Sequence, residues 1–393
     1  MKIMLSAGEV SGDLHGASLA RAILTQEPAT ELVGFGGQNM AAAGVRLVAD
    51  LASYNVMGIS EVLKNLRRLA RLLDQLTEFM RQERPDLLVL IDYPDFNWRL
   101  AKRAKALGIP VFSYIPPSAW AWRKGRARKC ARLADEFVAI FPHELPVYEA
   151  AGANISFVGN PLVDTVQPEM PLEEARAHFG LREQEHAVLL LPGSRRQEIE
   201  LLLPAMLEAV HILLHGRSGE LPTRFFLPVA ENVDEELIKR LISRTGLDGR
   251  ITLTYEARYA LMGIADAAMA TSGTVVMEAA LMGLPCVVLY RLSKLSYIVG
   301  RLLVHVENFS LPNILLGEQF QPELLQDEVK PARIAHEIER LYRGEPHRDA
   351  VAAKLRQACD RLGPPGAAGR VAAKILAAAE RLSPAAAPDT ARE

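Results

Sequence analysis

A short apolar run, a glycine-bearing turn and a segment with apolar residues every three or four positions recur along this 393-residue sequence. That repeat of strand, turn and helix restricts the chain to a layered α/β architecture. Its fullest example is Leu189-Leu190-Leu191-Pro192-Gly193-Ser194-Arg195-Arg196-Gln197-Glu198-Ile199, continued by Leu203, Met206, Val210 and Leu213 at helical spacing. The stretch reads as a buried strand, a tight turn at Gly193 and the start of a long helix. Ser194 and Gln197 fit a capping box, the hydroxyl accepting from a helix N-terminal amide and the glutamine reaching back. A helix N-terminus carries about half a positive charge and unpaired N–H groups, so Arg195 and Arg196 there complete a phosphate site without any metal. A capped helix with surface arginines is the alternative reading of the same residues.

The other copies of the pattern divide the chain into two halves. A first strand, Met1 to Ala7, enters Gly8-Glu9-Val10-Ser11-Gly12-Asp13-Leu14-His15-Gly16 and a helix in which Leu19/Ile23 and Ala20/Leu24 stack. This spacing is neither the dinucleotide fingerprint nor a Walker loop. Its glycines, Gly12 among them, allow a ligand to approach a helix N-terminus closely. Leu32 to Gly37 is a further strand and turn. Leu87 to Ile91 is a continuous apolar run, a strand covered on both faces, and it ends in Asp92-Tyr93-Pro94-Asp95-Phe96-Asn97. Ligands of parallel open sheets bind at the carboxyl ends of strands, which makes Asp92 the candidate base; Asp95, beside a proline, reads as a turn residue. Val111 to Ile115, Phe137 to Ile140 and Phe157 onward extend this half.

Leu162 to Leu181, rich in Pro, Glu and Ala, reads as a linker. Phe225 to Val229, Ile251 to Thr254, Ala267 to Ala270 and Cys286 to Leu289 supply strands for the second half. There Gly283 and Pro285 stop a helix that begins at Ser272-Gly273-Thr274, where hydroxyls and amides are available. Glu278 lies one turn after Thr274 on the same face, placed to accept hydrogen bonds from a ribose or to complement the helix dipole. The expected organisation is two doubly wound Rossmann-like domains, 1–165 and 166–345, facing across a ligand-binding cleft. Ala-rich helices over 346–383 pack back on the first domain or on a partner chain, and a disordered tail covers 384–393.

Composition removes several function classes. A net charge of -2 and a pI near 6.5 exclude a dedicated nucleic-acid binder, and the single patch Trp120-Ala121-Trp122-Arg123-Lys124-Gly125-Arg126 suits an anionic, partly apolar substrate better than stacked bases. Cys130, Cys286 and Cys359 share no metal-ligand or paired spacing, as in a reduced cytoplasmic protein. No N-terminal segment has signal-peptide character, and no charge-free apolar run approaches the roughly 20 residues that span a bilayer. From Val56 to Leu76, Val62, Leu66, Leu69 and Leu73 alternate with Lys64, Arg67, Arg68 and Arg71. This basic amphipathic helix is either an ordinary surface helix or one lying on an anionic membrane.

Several of these stretches, in order, resemble the GT-B glycosyltransferases that use UDP-sugars, and among them the lipid-A-disaccharide synthases. They are Ala7 to Asp13, Val56-Met57-Gly58-Ile59, Ile91 to Asn97, Pro117 to Arg123, Leu191 to Arg195, Ala270 to Thr274 and Ser310-Leu311-Pro312-Asn313. The resemblance implies inverting transfer of 2,3-diacylglucosamine from its UDP conjugate to the 6-hydroxyl of 2,3-diacylglucosamine 1-phosphate, at the inner face of the inner membrane. It implies Asp92 as base, no cofactor or metal, and Glu9, Ser11 and Asn313 lining the cleft. Amides after Gly193 and Ser272, with Arg195, would hold the diphosphate, and Glu278 the ribose. The chain is read as a monomer or homodimer. A UDP-sugar 2-epimerase of the same fold and a non-catalytic UDP-sugar-binding regulator are the alternatives.

Overall fold

A computed structural model describes residues 1–53, 62–119, 125–215, 222–230, 233–292 and 307–383. The chain forms two compact units, Met1–Pro161 with Pro364–Glu393, and Leu162–Gly363.

The first unit is built on seven parallel strands: β1 (Lys2–Ala7), β2 (Glu31–Gly36), β3 (Arg46–Asp50), β4 (Leu87–Ile91), β5 (Val111–Tyr114), β6 (Glu136–Ala139) and β7 (Ile155–Phe157). Their order is 3-2-1-4-5-6-7, with Ile3 of β1 in register with Leu32 on one side and Leu87 on the other. Alternate residues serve opposite faces. Ile3, Leu5, Leu87 and Val89 pack under helices Val10–Gln26 and Ala367–Leu382, while Met4, Leu88 and Leu90 pack under Val62–Glu83 and Pro94–Ala106. Covered on both sides, these strands need the unbroken apolar character seen in the sequence. The strand order reverses between β1 and β4, so the loops that leave these two strands diverge and open a crevice at their carboxyl ends.

The second unit repeats the plan with β8 (His186–Leu191), β9 (Thr223–Pro228), β10 (Ile251–Thr254), β11 (Ala267–Thr271), β12 (Cys286–Tyr290) and β13 (Glu323–Leu325), ordered 10-9-8-11-12-13 and all parallel. Its reversal point lies between β8 and β11, the strands that run into the Gly193 and Ser272 turns.

Three expectations change. Leu162 to Leu181 is not a linker: it carries helix Leu172–His178, which buries Ala175 against helix Arg258–Ile264. The boundary expected at 345 lies at Gly363, because helix Pro346–Asp360 packs on helices Thr274–Leu281 and Leu311–Leu316 of the second unit. Of the C-terminal helices, Ala367–Leu382 alone joins the first unit. The amphipathic helix is described from Val62, so its expected start at Val56 falls outside the described residues, as do Trp120 to Lys124 and the 384–393 tail.

Candidate active site

Asp92 stands immediately after β4 with φ 49°, followed by Tyr93 with φ 49°. Two consecutive non-glycine residues in the left-handed region are strained, and Ile115, just past β5, is a third with φ 59°. Backbone strain of this kind persists only where neighbours hold it. Asn97 does so here: its Nδ2 donates to the carbonyl of Asp92 at 2.7 Å and to that of Ser6 at 3.1 Å, and its Oδ1 accepts from the Ser6 hydroxyl at 2.7 Å. The Asp92 amide donates to the Tyr114 carbonyl at 3.2 Å. The β1 turn packs against this loop. A Cβ on Gly8 would lie 1.9 Å from the Tyr93 ring, so only glycine fits there. Gly12 is buried beside Ala7 and the Ile91 carbonyl, whereas Glu9, which precedes the helix, and Ser11 in its first turn are exposed.

Asp92, Ile115, Arg126, Phe141 and Glu144 line a cavity of 340 Å³ at the carboxyl ends of β4, β5 and β6. Burial, then the nearby Glu9 charge, push the Asp92 carboxyl above its ordinary range, with the Tyr93 amide opposing. A carboxylate so raised is a stronger base than a solvated one.

In the second unit the turn after β8 holds Gly193 at φ 108°, a conformation that favours glycine. Any Cβ there would also meet the Glu198 carboxylate at 2.3 Å. The capping box expected from Ser194 and Gln197 is displaced by one residue. The helix runs Arg196–His215, and Glu198 is the side chain that reaches back, accepting from the Arg195 amide at 3.3 Å. Ser194 is exposed, and the Arg195 side chain is 83% exposed with a 3.5 Å contact to Glu198, a pair too solvated to hold it firmly. Arg196 is instead tied to Glu200 at 2.8 Å and Asp234 at 3.2 Å.

After β11, the Ser272 amide donates to the Leu289 carbonyl at 3.1 Å and its hydroxyl to the Phe309 carbonyl at 2.8 Å. Gly273 precedes helix Thr274–Leu281, and a Cβ on it would meet nothing within 4 Å. Thr274 is exposed, with Glu278 half-buried one turn on. Glu278 lies beyond the first turn and faces Arg258 at 3.4 Å as half of an ion pair. Asn313 departs further from expectation. It is 0% exposed and its amide is saturated: Nδ2 donates to the Gln321 carbonyl at 3.0 Å and to Glu323 at 2.8 Å, and Oδ1 accepts from the amides of Phe320 at 3.2 Å and Gln321 at 3.3 Å. It therefore braces the loop instead of lining a cleft.

A family profile described as lipid-A-disaccharide synthetase matches residues 3–361. The lipid-A-disaccharide synthase of Syntrophus aciditrophicus (strain SB) is 45% identical over 370 residues, which cover 94% of this chain and 96% of that protein. The chain belongs to the lipid-A-disaccharide synthase family. A second relative of that description, from Geobacter sulfurreducens, is 42% identical over 371 residues, covering 94% of this chain and 95% of its own. Solved structures of a UDP-GlcNAc 2-epimerase from Neisseria meningitidis and of Acinetobacter baumannii MurG align with TM-scores of 0.64 and 0.58. They cover 96% of this chain, and 100% and 99% of their own, at 14% and 16% identity, which establishes the shared GT-B fold.

Within this lipid-A-disaccharide synthase family member, four positioning residues were not assigned from the sequence. Besides Asn97, buried Asp13 accepts from the amides of Gly37 at 2.7 Å, Asn39 at 3.0 Å and Met40 at 3.0 Å, fixing the neighbouring turn. Glu323 accepts from the amides of Phe309 and Ser310, both at 2.9 Å, and so sets the carbonyl that holds Ser272. Arg258, lying 4.6 Å over the Tyr259 ring, orients Glu278. Asp13 and Asn97 stood inside quoted motifs; nothing in the sequence marked Glu323 or Arg258. On helix Val62–Glu83, Arg67, Arg68 and Arg71 are exposed, but Leu69 and Leu73 pack on the same core as Leu72, Leu76 and Met80. Leu69 thus faces protein, a correction to its expected membrane contact, and the side chains of Val62 and Leu66 lie outside the description. Among the described residues no helix is long and apolar enough to cross a membrane, and no group of three or more His, Cys, Asp or Glu is placed to hold a metal ion.

Proposed function

We propose that this chain joins UDP-2,3-diacylglucosamine to 2,3-diacylglucosamine 1-phosphate, forming the β-1,6-linked lipid A disaccharide 1-phosphate and releasing UDP. Its 45% identity to a lipid-A-disaccharide synthase across 94% of the chain carries the reading. The O–H bond of the acceptor 6-hydroxyl breaks as its proton passes to Asp92, and the oxygen attacks the anomeric carbon from the face opposite the leaving group. The bond to the UDP oxygen breaks, inverting the centre and leaving a charge on UDP. Glu9, Ser11 and Gly12 flank this step at the crevice of the first unit. Amides and hydroxyls at Gly193, Ser194, Gly273 and Thr274, with Arg195, meet the diphosphate charge, Ser272 holds the turn through its bonds to Leu289 and Phe309, and Glu278, oriented by Arg258, takes the ribose.

Incubating the protein with both lipid substrates separates the readings. Disaccharide supports a transferase, an epimerised UDP-sugar would show the epimerase, and neither would show a binding regulator. The epimerase structures share only the fold, whereas the relatives that share sequence are synthases.

Arg195→Ala should weaken UDP binding about tenfold in titration calorimetry, the scale of a lost charge-assisted hydrogen bond. Arg196→Ala, whose guanidinium is already engaged by Glu200 and Asp234, is the control and should stay near the wild-type value. Equal effects of the two would remove Arg195 from the site.

Both substrates carry acyl chains, so the reaction belongs at the inner membrane surface, on its cytoplasmic side, and exposed Arg67, Arg68 and Arg71 are suited to anionic headgroups at about 1 kcal/mol each. Replacing all three by Glu should sharply reduce co-sedimentation with vesicles containing anionic lipid. Unchanged co-sedimentation would refute the contact.

A further inference from the structure

Beyond Asp92, the cavity at the ends of β4, β5 and β6 presents a second carboxyl that no motif singled out. Glu144 closes the 3-10 turn Pro142–Glu144 after β6 and is 4% exposed, yet it lines the same 340 Å³ space as Asp92. Its Oε2 atom is buried and has no hydrogen-bond partner among the described residues. A buried polar atom left in that state costs about 1–3 kcal/mol, a cost that structures tolerate where a ligand completes the bonding.

We propose that this cavity seats the sugar of the acceptor and that Glu144 holds it there through a hydrogen bond between its carboxyl and a ring hydroxyl, beside the hydroxyl whose proton Asp92 removes. The inference rests on the transferase reading above. The cavity lies at the small end of the range for small-molecule sites, suited to a sugar ring with the acyl chains left outside.

The protonation state follows from the surroundings. Burial pushes the Glu144 carboxyl up to about 8, with the Asp92 charge adding to the rise and the Phe141 and Ile140 amides opposing it. Below that pH it is a neutral acid that donates to a sugar oxygen; above it, two carboxylates would share one cavity. The other groups facing it hold their charge through this range. Burial keeps His143 down at about 4, hence neutral, and raises the Tyr148 hydroxyl, which donates to the Pro117 carbonyl at 2.7 Å. Arg126 pairs with Asp95 at 3.1 Å. Asp92, proposed as the base, is itself raised by burial and the Glu9 charge.

The test is steady-state kinetics of the full-length protein, with UDP-diacylglucosamine and the lipid acceptor varied separately from pH 6.5 to 9, for wild type, Glu144→Leu and Glu144→Gln. Glu144→Leu should raise the acceptor KM about tenfold or more, with the donor KM and UDP affinity within about twofold. Glu144→Gln, which keeps a neutral donor, should hold the acceptor KM within about threefold at pH 7 and abolish the rise that wild type shows as pH passes about 8. An acceptor KM unmoved in Glu144→Leu, parallel shifts in donor and acceptor terms, or an alkaline rise retained in Glu144→Gln would each overturn the assignment. Should Glu144→Leu fail to fold, the pH profile of Glu144→Gln still decides. Wild-type protein that makes no disaccharide would sink the transferase reading, whereas active wild type with an indifferent Glu144 sinks this inference alone.

Discussion

Asp92→Asn is expected to lower kcat by a factor of about 100 or more, near 2.7 kcal/mol of transition-state stabilisation, with the melting temperature and UDP affinity close to wild type. The substitution isolates chemistry from structure. Asparagine is among the residues that best tolerate the left-handed region, so φ 49° remains accessible, and the contacts to Tyr114 and Asn97 run through the backbone of residue 92. What disappears is the ability to take a proton. Because the base must be ionised, kcat/KM of the wild type should fall on the acid side as pH drops through the raised Asp92 value. Part of that rise comes from Glu9, so Glu9→Gln should move the acid limb to lower pH. Purified Asp92→Asn turning over near the wild-type rate would end the assignment.

Asn313→Ala should act on stability instead, by roughly 2–4 kcal/mol, because it strips four hydrogen bonds from a fully buried site and leaves the amides of Phe320 and Gln321 without their acceptor. Urea unfolding followed by far-UV dichroism would show a lower midpoint at similar slope. The loss reaches the ligand site indirectly, since Asn313 and the Phe309 and Ser310 amides converge on Glu323, and the Phe309 carbonyl holds the Ser272 hydroxyl. Saturating UDP should therefore recover part of the stability. Unchanged unfolding together with abolished UDP binding would restore Asn313 to the ligand-contacting role that the family resemblance suggests.

The contrast between these two residues marks where the sequence is readable. Leu87 to Ile91 and Ile251 to Thr254 are strands as expected, because burial on both faces or at a strand end writes itself into composition. The place of Asp92 at the carboxyl end of a parallel strand is legible because the apolar run before it marks where the strand stops. Asn313 is not, since an amide in a motif looks the same whether it faces a ligand or a buried carboxylate ten residues on. Glu144 stands in no motif of the sequence, and only the fold brings it to a cavity with Asp92 at the ends of β4, β5 and β6. Gln197 and Glu198 are both able to reach back to a helix start, and a shift of one residue in where the helix begins decides between them. The edge strands β3, β7 and β13 are three to five residues long, too short for a periodicity to set their bounds.

The helix Ala367–Leu382 also dictates an order of events at the ribosome. Val371, Ala372, Ile375, Ala378 and Ala379 belong to the same core as Ile3, Leu5 and Val89, although the chain between Pro161 and Pro364 folds as a separate body. At typical synthesis rates of about 5–20 residues per second, the N-terminal sheet waits on the order of 10–40 s for its last covering layer. During that interval one apolar face is covered by helix Val10–Gln26 without its second helix, while the later body can already close. A nascent chain stalled or cleaved after Gly363 is thus a ready substrate for chaperones and proteases, and residues 367–382 must be made before the part that carries Asp92 is finished.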